Sequence, residues 1–124
     1  MVGSTRQTLN GDAFLQLFVE GTRYVERNTD DINALNVFPV PDGDTGTNML
    51  LTMRAALEST ELPAPGSGTV AQVSVALSRG ALLGARGNSG VIFSQFMKGI
   101  SQGLADVDEC DGADIARALH EASD

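Results

Sequence analysis

Apolar positions recur at three- and four-residue intervals through most of the chain, a period that predicts helices. Phe14, Leu15, Phe18, Val19 and Val25, with Glu20, Arg23, Glu26 and Arg27 between them, predict an amphipathic helix with Asp12 at its N-cap. The period fails over residues 28–41, where Asp30 and Asp31 read as turn formers and Pro39 and Pro41 deny helix and favour extended backbone. From Thr47, the set Met49, Leu50, Met53, Ala56 and Leu57 predicts a second helix, stopping before the linker Pro63-Ala-Pro-Gly-Ser-Gly68. Val70, Val73, Leu77 and Ala81 predict a third over residues 69–83, although Val73, Val75 and Leu77 would also suit a short strand. Ile92, Phe93, Phe96, Met97, Ile100 and Leu104 mark the most apolar helix, over 91–104, which Gly99 and Gly103 weaken without breaking. Beyond an acidic loop, Ile115, Leu119 and Ala122 predict a last helix over 113–123, capped by Asp111 with those three side chains inward.

The pattern is therefore all-α: five helices in one domain spanning residues 1–124. The last helix is short and no Gly or Pro stop follows it, so the chain reads as a fragment. A hydrophobic content of 42% fits a globular protein, and no apolar run approaches the roughly 20 residues of a membrane span. The net charge of -8 and a single lysine, Lys98, argue against a nucleic-acid surface, which needs clustered cations. One cysteine, Cys110, excludes an internal disulfide, and residues 1–8 lack the apolar core of a signal peptide, so a cytoplasmic placement is expected.

Chemistry is concentrated in two polar loops, each running into a helix. The first is Asn33-Ala-Leu-Asn-Val-Phe-Pro-Val-Pro-Asp42-Gly-Asp44-Thr-Gly-Thr-Asn48-Met. Asp42 and Asp44, two positions apart on a turn, can face one hard cation, and Mg²⁺ typically takes one or two protein carboxylates together with phosphate oxygens and water. Thr45, Gly46, Thr47 and Asn48 then fall at a helix start, where free N–H groups and the dipole favour an anion and Gly46 permits close approach. The plainer alternative makes Asp42-Gly-Asp44 a surface turn with Asp44 or Thr45 as an ordinary N-cap, and on composition alone the two readings weigh about equally. An EF-hand fails, because counting from Asp42 puts Thr47 where its glycine belongs and Met53 where its bidentate Glu belongs. A haloacid-dehalogenase-type Asp-x-Asp is a weak rival, since Pro39 and Pro41 spoil the strand it requires.

The second loop, Gly84-Ala-Arg86-Gly87-Asn88-Ser89-Gly90, matches neither the P-loop nor the dinucleotide fingerprint. Its glycines permit close approach, Asn88 and Ser89 offer hydrogen bonds at a helix start, and Arg86 offers a charged fork for phosphate. Alone, it would more simply be a turn with Ser89 as N-cap; beside the acidic loop it reads as the phosphate half of a metal-phosphate site. His120 is placed at the surface without a catalytic role, and Cys110, among acidic neighbours, as an unreactive thiol. The run Asp106-Val-Asp108-Glu-Cys-Asp111 reads as a solvated loop.

At these loops, Asn33 to Met49 and Ser78 to Gln95, the chain resembles the nucleotide-binding domain of the dihydroxyacetone-kinase L-subunit (DhaL-like) family, and within it the fatty-acid-kinase branch. The similarity extends over most of residues 10–123. The resemblance implies an antiparallel helical barrel of about eight helices holding ATP and Mg²⁺, of which this chain would supply five. It implies metal ligands at Asp42 and Asp44, with Asn36 aligned to the family's first aspartate, and phosphate contacts from Thr45 to Asn48 and from Arg86 to Gly90. The L-subunit branch has His where this chain has Thr45, which favours the fatty-acid-kinase branch. There the γ-phosphoryl group of ATP passes to a fatty acid held by a separate carrier protein, giving an acyl phosphate; a homodimer of the full-length protein is a compatible arrangement. The alternatives are a dihydroxyacetone-type kinase subunit and a nucleotide-binding module without phosphotransfer.

Overall fold

The computed structural model describes residues 8–35 and 43–123, which form six helices: α1 (Gly11–Arg27), α2 (Thr29–Ala34), α3 (Thr45–Leu57), α4 (Val70–Leu83), α5 (Gly87–Gly103) and α6 (Gly112–Ser123). The all-α expectation holds, and the strand alternative for Val73 falls, since Val73 is buried inside α4. Among the described residues the sole β-type pairing is a bridge between Leu9 and Cys110. The extended backbone expected over 36–41 lies outside the described residues.

One helix more is present than the apolar spacing predicts. Asp30 and Asp31, read as turn formers, lie in the first turn of α2, where acidic side chains complement the helix dipole. At six residues α2 is too short to display a period. The N-cap of α1 is Asn10 rather than Asp12: Asn10 Oδ1 accepts the Ala13 N–H at 2.8 Å. Asp12 instead reaches across to the linker, where its carboxylate accepts the Gly66 N–H. The starts of α3 and α5 lie at Thr45 and Gly87, ahead of the expected Thr47 and residue 91, because the polar residues of both loops already turn helically.

The core gathers Phe14, Ala56, Val70, Val73, Leu77, Ala81, Met97, Ile100, Leu104 and Ala118. Leu77 and Val70 are fully buried, each stabilising the fold by about 1.5–3 kcal/mol relative to exposure. Helix α4 starts with a reciprocal capping box between Thr69 and Gln72. It then runs antiparallel to α5, whose trailing loop returns to the α4 start: the Ala71 N–H donates to Val107 O at 2.8 Å. Helix α6 turns back along α5 so closely that a Cβ on Gly99 would meet Ala122 Cα at 2.5 Å. Gly99 is thus a packing contact and not merely a weak helix former. Asp111 caps α6 as expected, its Oδ1 accepting the Asp114 N–H at 2.9 Å while Asp114 accepts the Asp111 N–H.

Leu119, expected inward, faces outward at 45% exposed, and Ile92, part of the apolar pattern of α5, is 69% exposed. Among the described residues of α6 the fully buried position is Ala118, which joins the core. Phe93, by contrast, packs on the core, and its ring lies 6.3 Å from that of Phe18.

Candidate functional site

Two of the residues expected to bind metal, Asn36 and Asp42, lie outside the described residues. The first described residue of the acidic loop, Gly43, has φ +71, a left-handed backbone that a glycine adopts without strain. It leads into Asp44, which occupies the N-cap position of α3 but has φ -120 and ψ 9 and makes no side-chain capping bond. Its carboxylate is exposed. Asp44 thus holds the N-cap position, as the plainer reading has it, but its side chain makes no capping bond, and a side-chain acceptor for the first α3 amides comes from elsewhere.

That acceptor is Asn33, at the end of α2. Its Oδ1 accepts the Gly46 N–H at 2.8 Å and the Thr47 N–H at 3.1 Å, and its Nδ2 donates to Thr47 Oγ1 at 3.0 Å. Gly46 is buried, and a Cβ there would meet Thr29 O at 2.7 Å and Asn33 Oδ1 at 3.0 Å. The absent side chain accommodates α2, and the Gly46 N–H is engaged by Asn33.

The glycine loop lies directly against α3. Ser89 Oγ donates to Thr45 O at 3.3 Å, so Ser89 links the two helix starts and is not an N-cap; the N-cap of α5 is Arg86. The buried Thr52 Oγ1 accepts the Arg86 N–H at 3.1 Å and donates to Asn48 O at 2.8 Å. Gly87 has φ +63, and a Cβ on it would meet Asn48 Nδ2 at 2.3 Å; one on Gly90 would meet Thr52 Oγ1 at 2.4 Å. Gly84 packs on α3 in the same way, its Cβ position lying 2.2 Å from Ala55 Cβ. Gly87 and Gly90 admit the start of α5 against Asn48 and Thr52 of α3, and Gly84 admits the end of α4 against Ala55 in the last turn of α3.

Thr45 to Asn48 and Arg86 to Gly90, chosen from separate loops, are thus brought together. The structure adds Asn33 and Thr52. Asn33 stood within the first motif without an assigned role, and Thr52 was legible as a polar residue on the buried face of α3. The side chains of Asp44, Thr47, Arg86 and Asn88 are exposed around this junction, leaving two carbonyl or carboxylate acceptors, hydroxyl and amide groups and one guanidinium within a small region. Among the described residues no group of three or more His, Cys, Asp or Glu side chains gathers to hold a metal. A single carboxylate still suits Mg²⁺ delivered with a polyphosphate, whose oxygens complete the coordination.

The other groups singled out in the sequence lie elsewhere. His120 is exposed on α6. Cys110 is fully buried, and its thiol is pushed above its ordinary value by burial first and by the nearby Asp114 carboxylate second. A groove of about 250 Å³ among α1, α5 and α6, lined by Phe14, Phe18, Phe93, Phe96 and Met97, is apolar and carries none of the loop residues. No helix among the described residues is long and apolar enough to cross a membrane.

Protein YloV of Bacillus subtilis is 42% identical over 118 residues, which is 95% of this chain and 21% of that protein. An uncharacterised protein of Staphylococcus haemolyticus is 37% identical over 116 residues, 94% of this chain and 21% of the relative. One of Staphylococcus aureus is 39% identical over 111 residues, 90% of this chain and 20% of the relative. The chain spans about a fifth of the length of these relatives. The DAK2 domain matches residues 39–124, both loops from Pro39 onward included. With more than half of its length so matched, the chain belongs to the DAK2 domain family.

Proposed function

We propose that this chain holds ATP and Mg²⁺ for a kinase that transfers the γ-phosphoryl group to a fatty acid presented by a carrier protein. Domains of its family bind nucleotide, and the family includes kinases. The observation that carries the reading is the junction of α3 and α5, where an uncapped Asp44 carboxylate stands beside two helix starts. A carboxylate at an N-cap ordinarily turns back onto its own helix; this one is left for a cation.

In this reading Asp44, with Asp42 and Asn36 as its expected companions, would hold the metal, which would supply charge neutralisation for the phosphates. Arg86, Gly87, Asn88, Ser89 and Gly90 receive phosphate oxygens through the α5 dipole, backbone amides and the guanidinium fork. Thr45, Thr47 and Asn48 line the opposing side, and Gly46 sets their backbone. The residues act by position and charge: the bond from the γ-phosphorus to the β,γ-bridging oxygen breaks, one to the acceptor carboxylate oxygen forms, and ADP leaves. No side-chain nucleophile is required. The choice of a fatty acid rests on Thr45 standing where the dihydroxyacetone-kinase branch has His.

The test supplies the full-length protein with ATP, Mg²⁺ and a carrier-bound fatty acid, and traps acyl phosphate with hydroxylamine. Hydroxamate formation supports the proposal. Phosphorylation of dihydroxyacetone instead would redirect it to the sister branch, and nucleotide binding without turnover on either acceptor would make the chain a nucleotide-binding module.

A further inference from the structure

The start of α3 is capped by a residue that lies 13 positions before Gly46, on another helix. Two backbone N–H groups, those of Gly46 and Thr47, converge on one side-chain oxygen of Asn33. This fixes the amide's orientation, since the group facing two donors must be the carbonyl. The amide nitrogen then faces Thr47 and donates to its hydroxyl oxygen. A hydroxyl that accepts in this way keeps its own hydrogen for a further acceptor, and Thr47 is exposed.

A carboxylate at position 33 would satisfy the same two N–H groups. Asp and Asn cap helices about equally well, and a negative charge at a helix N-terminus is favourable in itself. At the α3 start taken alone, Asn has no stability advantage over Asp. For an anion-binding site it has two. It leaves the α3 start without a second carboxylate beside Asp44, so an incoming anion meets one negative charge fewer. It also holds the Thr47 hydroxyl as an outward donor, whereas a carboxylate would draw that hydrogen to itself.

We propose that Asn33 is a positioning residue for polyphosphate: a neutral cap that aims the Thr47 hydroxyl at a phosphate oxygen and frees Asp44 from capping. The inference rests on the nucleotide reading above. It extends the site to a residue on α2 that touches neither metal nor nucleotide.

The test compares wild type, Asn33→Asp and Thr47→Val by calorimetric titration with a non-hydrolysable ATP analogue in Mg²⁺ and with adenosine, alongside thermal unfolding. Asn33→Asp is expected to melt near the wild-type temperature, its gain at the α3 start offset by its place in the last turn of α2, to bind the ATP analogue about tenfold more weakly or worse, and to leave adenosine affinity unchanged. Thr47→Val, which deletes the hydroxyl without adding charge, is expected to lose part of the same affinity, again for the ATP analogue alone. Wild-type affinity for the ATP analogue in Asn33→Asp would overturn the proposal and leave Asn33 as a cap only. Marked destabilisation of that variant would also contradict it, since the amide would then matter to folding itself. Unchanged ATP-analogue affinity in Thr47→Val would remove the aimed hydroxyl. Failure of wild type to bind the analogue would overturn the nucleotide reading instead, a result distinct from any of these.

Discussion

The side-chain oxygen of Thr52, buried in α3, accepts the backbone N–H of Arg86 at 3.1 Å, and so ties the start of α5 to the middle of α3. The same hydroxyl donates to Asn48 O one turn earlier in α3, which fixes its oxygen to face the α5 start. Thr52→Val keeps the shape and removes both bonds, leaving the Arg86 N–H without its acceptor. A loss of about 1–3 kcal/mol in urea unfolding is expected, with weaker binding of an ATP analogue. Thr52→Ser retains the hydroxyl and is expected to lose less. Full stability in Thr52→Val would show that the bridge is dispensable.

Glycine substitutions separate packing from backbone freedom. Gly84→Ala places a Cβ 2.2 Å from Ala55 Cβ, and Gly90→Ala places one 2.4 Å from Thr52 Oγ1, so each is expected to force α3 and α4 or α5 apart at a cost of about 1–3 kcal/mol. Gly21, within α1, has nothing within 4 Å of its Cβ position. Gly21→Ala is expected to stabilise by about 0.5–1 kcal/mol. Chemical denaturation of the three variants checks the contrast.

Arg86 contributes its backbone to Thr52 and leaves its guanidinium exposed. Arg86→Ala is expected to change stability by less than about 0.5 kcal/mol, as for other exposed side chains. Affinity for an ATP analogue is expected to fall about tenfold, and Arg86→Lys to recover it partly, because an ammonium lacks the planar fork. Isothermal titration reads both.

Burial raises the Cys110 thiol above its ordinary value of 9.0, with Asp114 adding to the effect. The native state thus retains a proton that the unfolded chain releases. The neutral thiol costs nothing while pH stays below the ordinary value, and stability falls as pH rises through it toward the raised native value. Unfolding free energy measured from neutral to alkaline pH is expected to show this decline, and Cys110→Ala to flatten it. A thiol reagent at neutral pH is expected to label Cys110 only when the chain unfolds.

The long helices were legible because their buried faces repeat regularly: Val70, Val73, Leu77 and Ala81 are all buried, as their spacing indicates. Helix α2 was not, because six residues hold too few apolar positions, and its first-turn aspartates serve equally well in turns. Leu119 misled for a different reason. Hydrophobicity favoured it over Ala118, but it is Ala118 that α6 turns into the core. At the site, both loops were visible as ligand-rich glycine segments. Their convergence depends on the Thr45–Ser89 and Thr52–Arg86 hydrogen bonds, which join residues 44 and 34 positions apart and leave no periodic trace. Asn33 was hidden similarly, since a capping side chain is ordinarily sought at the helix's own start.

The central claim is that Asp44, relieved of capping, holds a cation for a bound polyphosphate. Calorimetric titration of wild type and Asp44→Ala with a non-hydrolysable ATP analogue, with and without Mg²⁺, tests it most directly. Mg²⁺-dependent binding by wild type, its loss in Asp44→Ala, and unfolding free energies within about 0.5 kcal/mol of each other are expected, since Asp44 makes no capping bond. Equal Mg²⁺-dependent affinity in the two proteins would contradict the account.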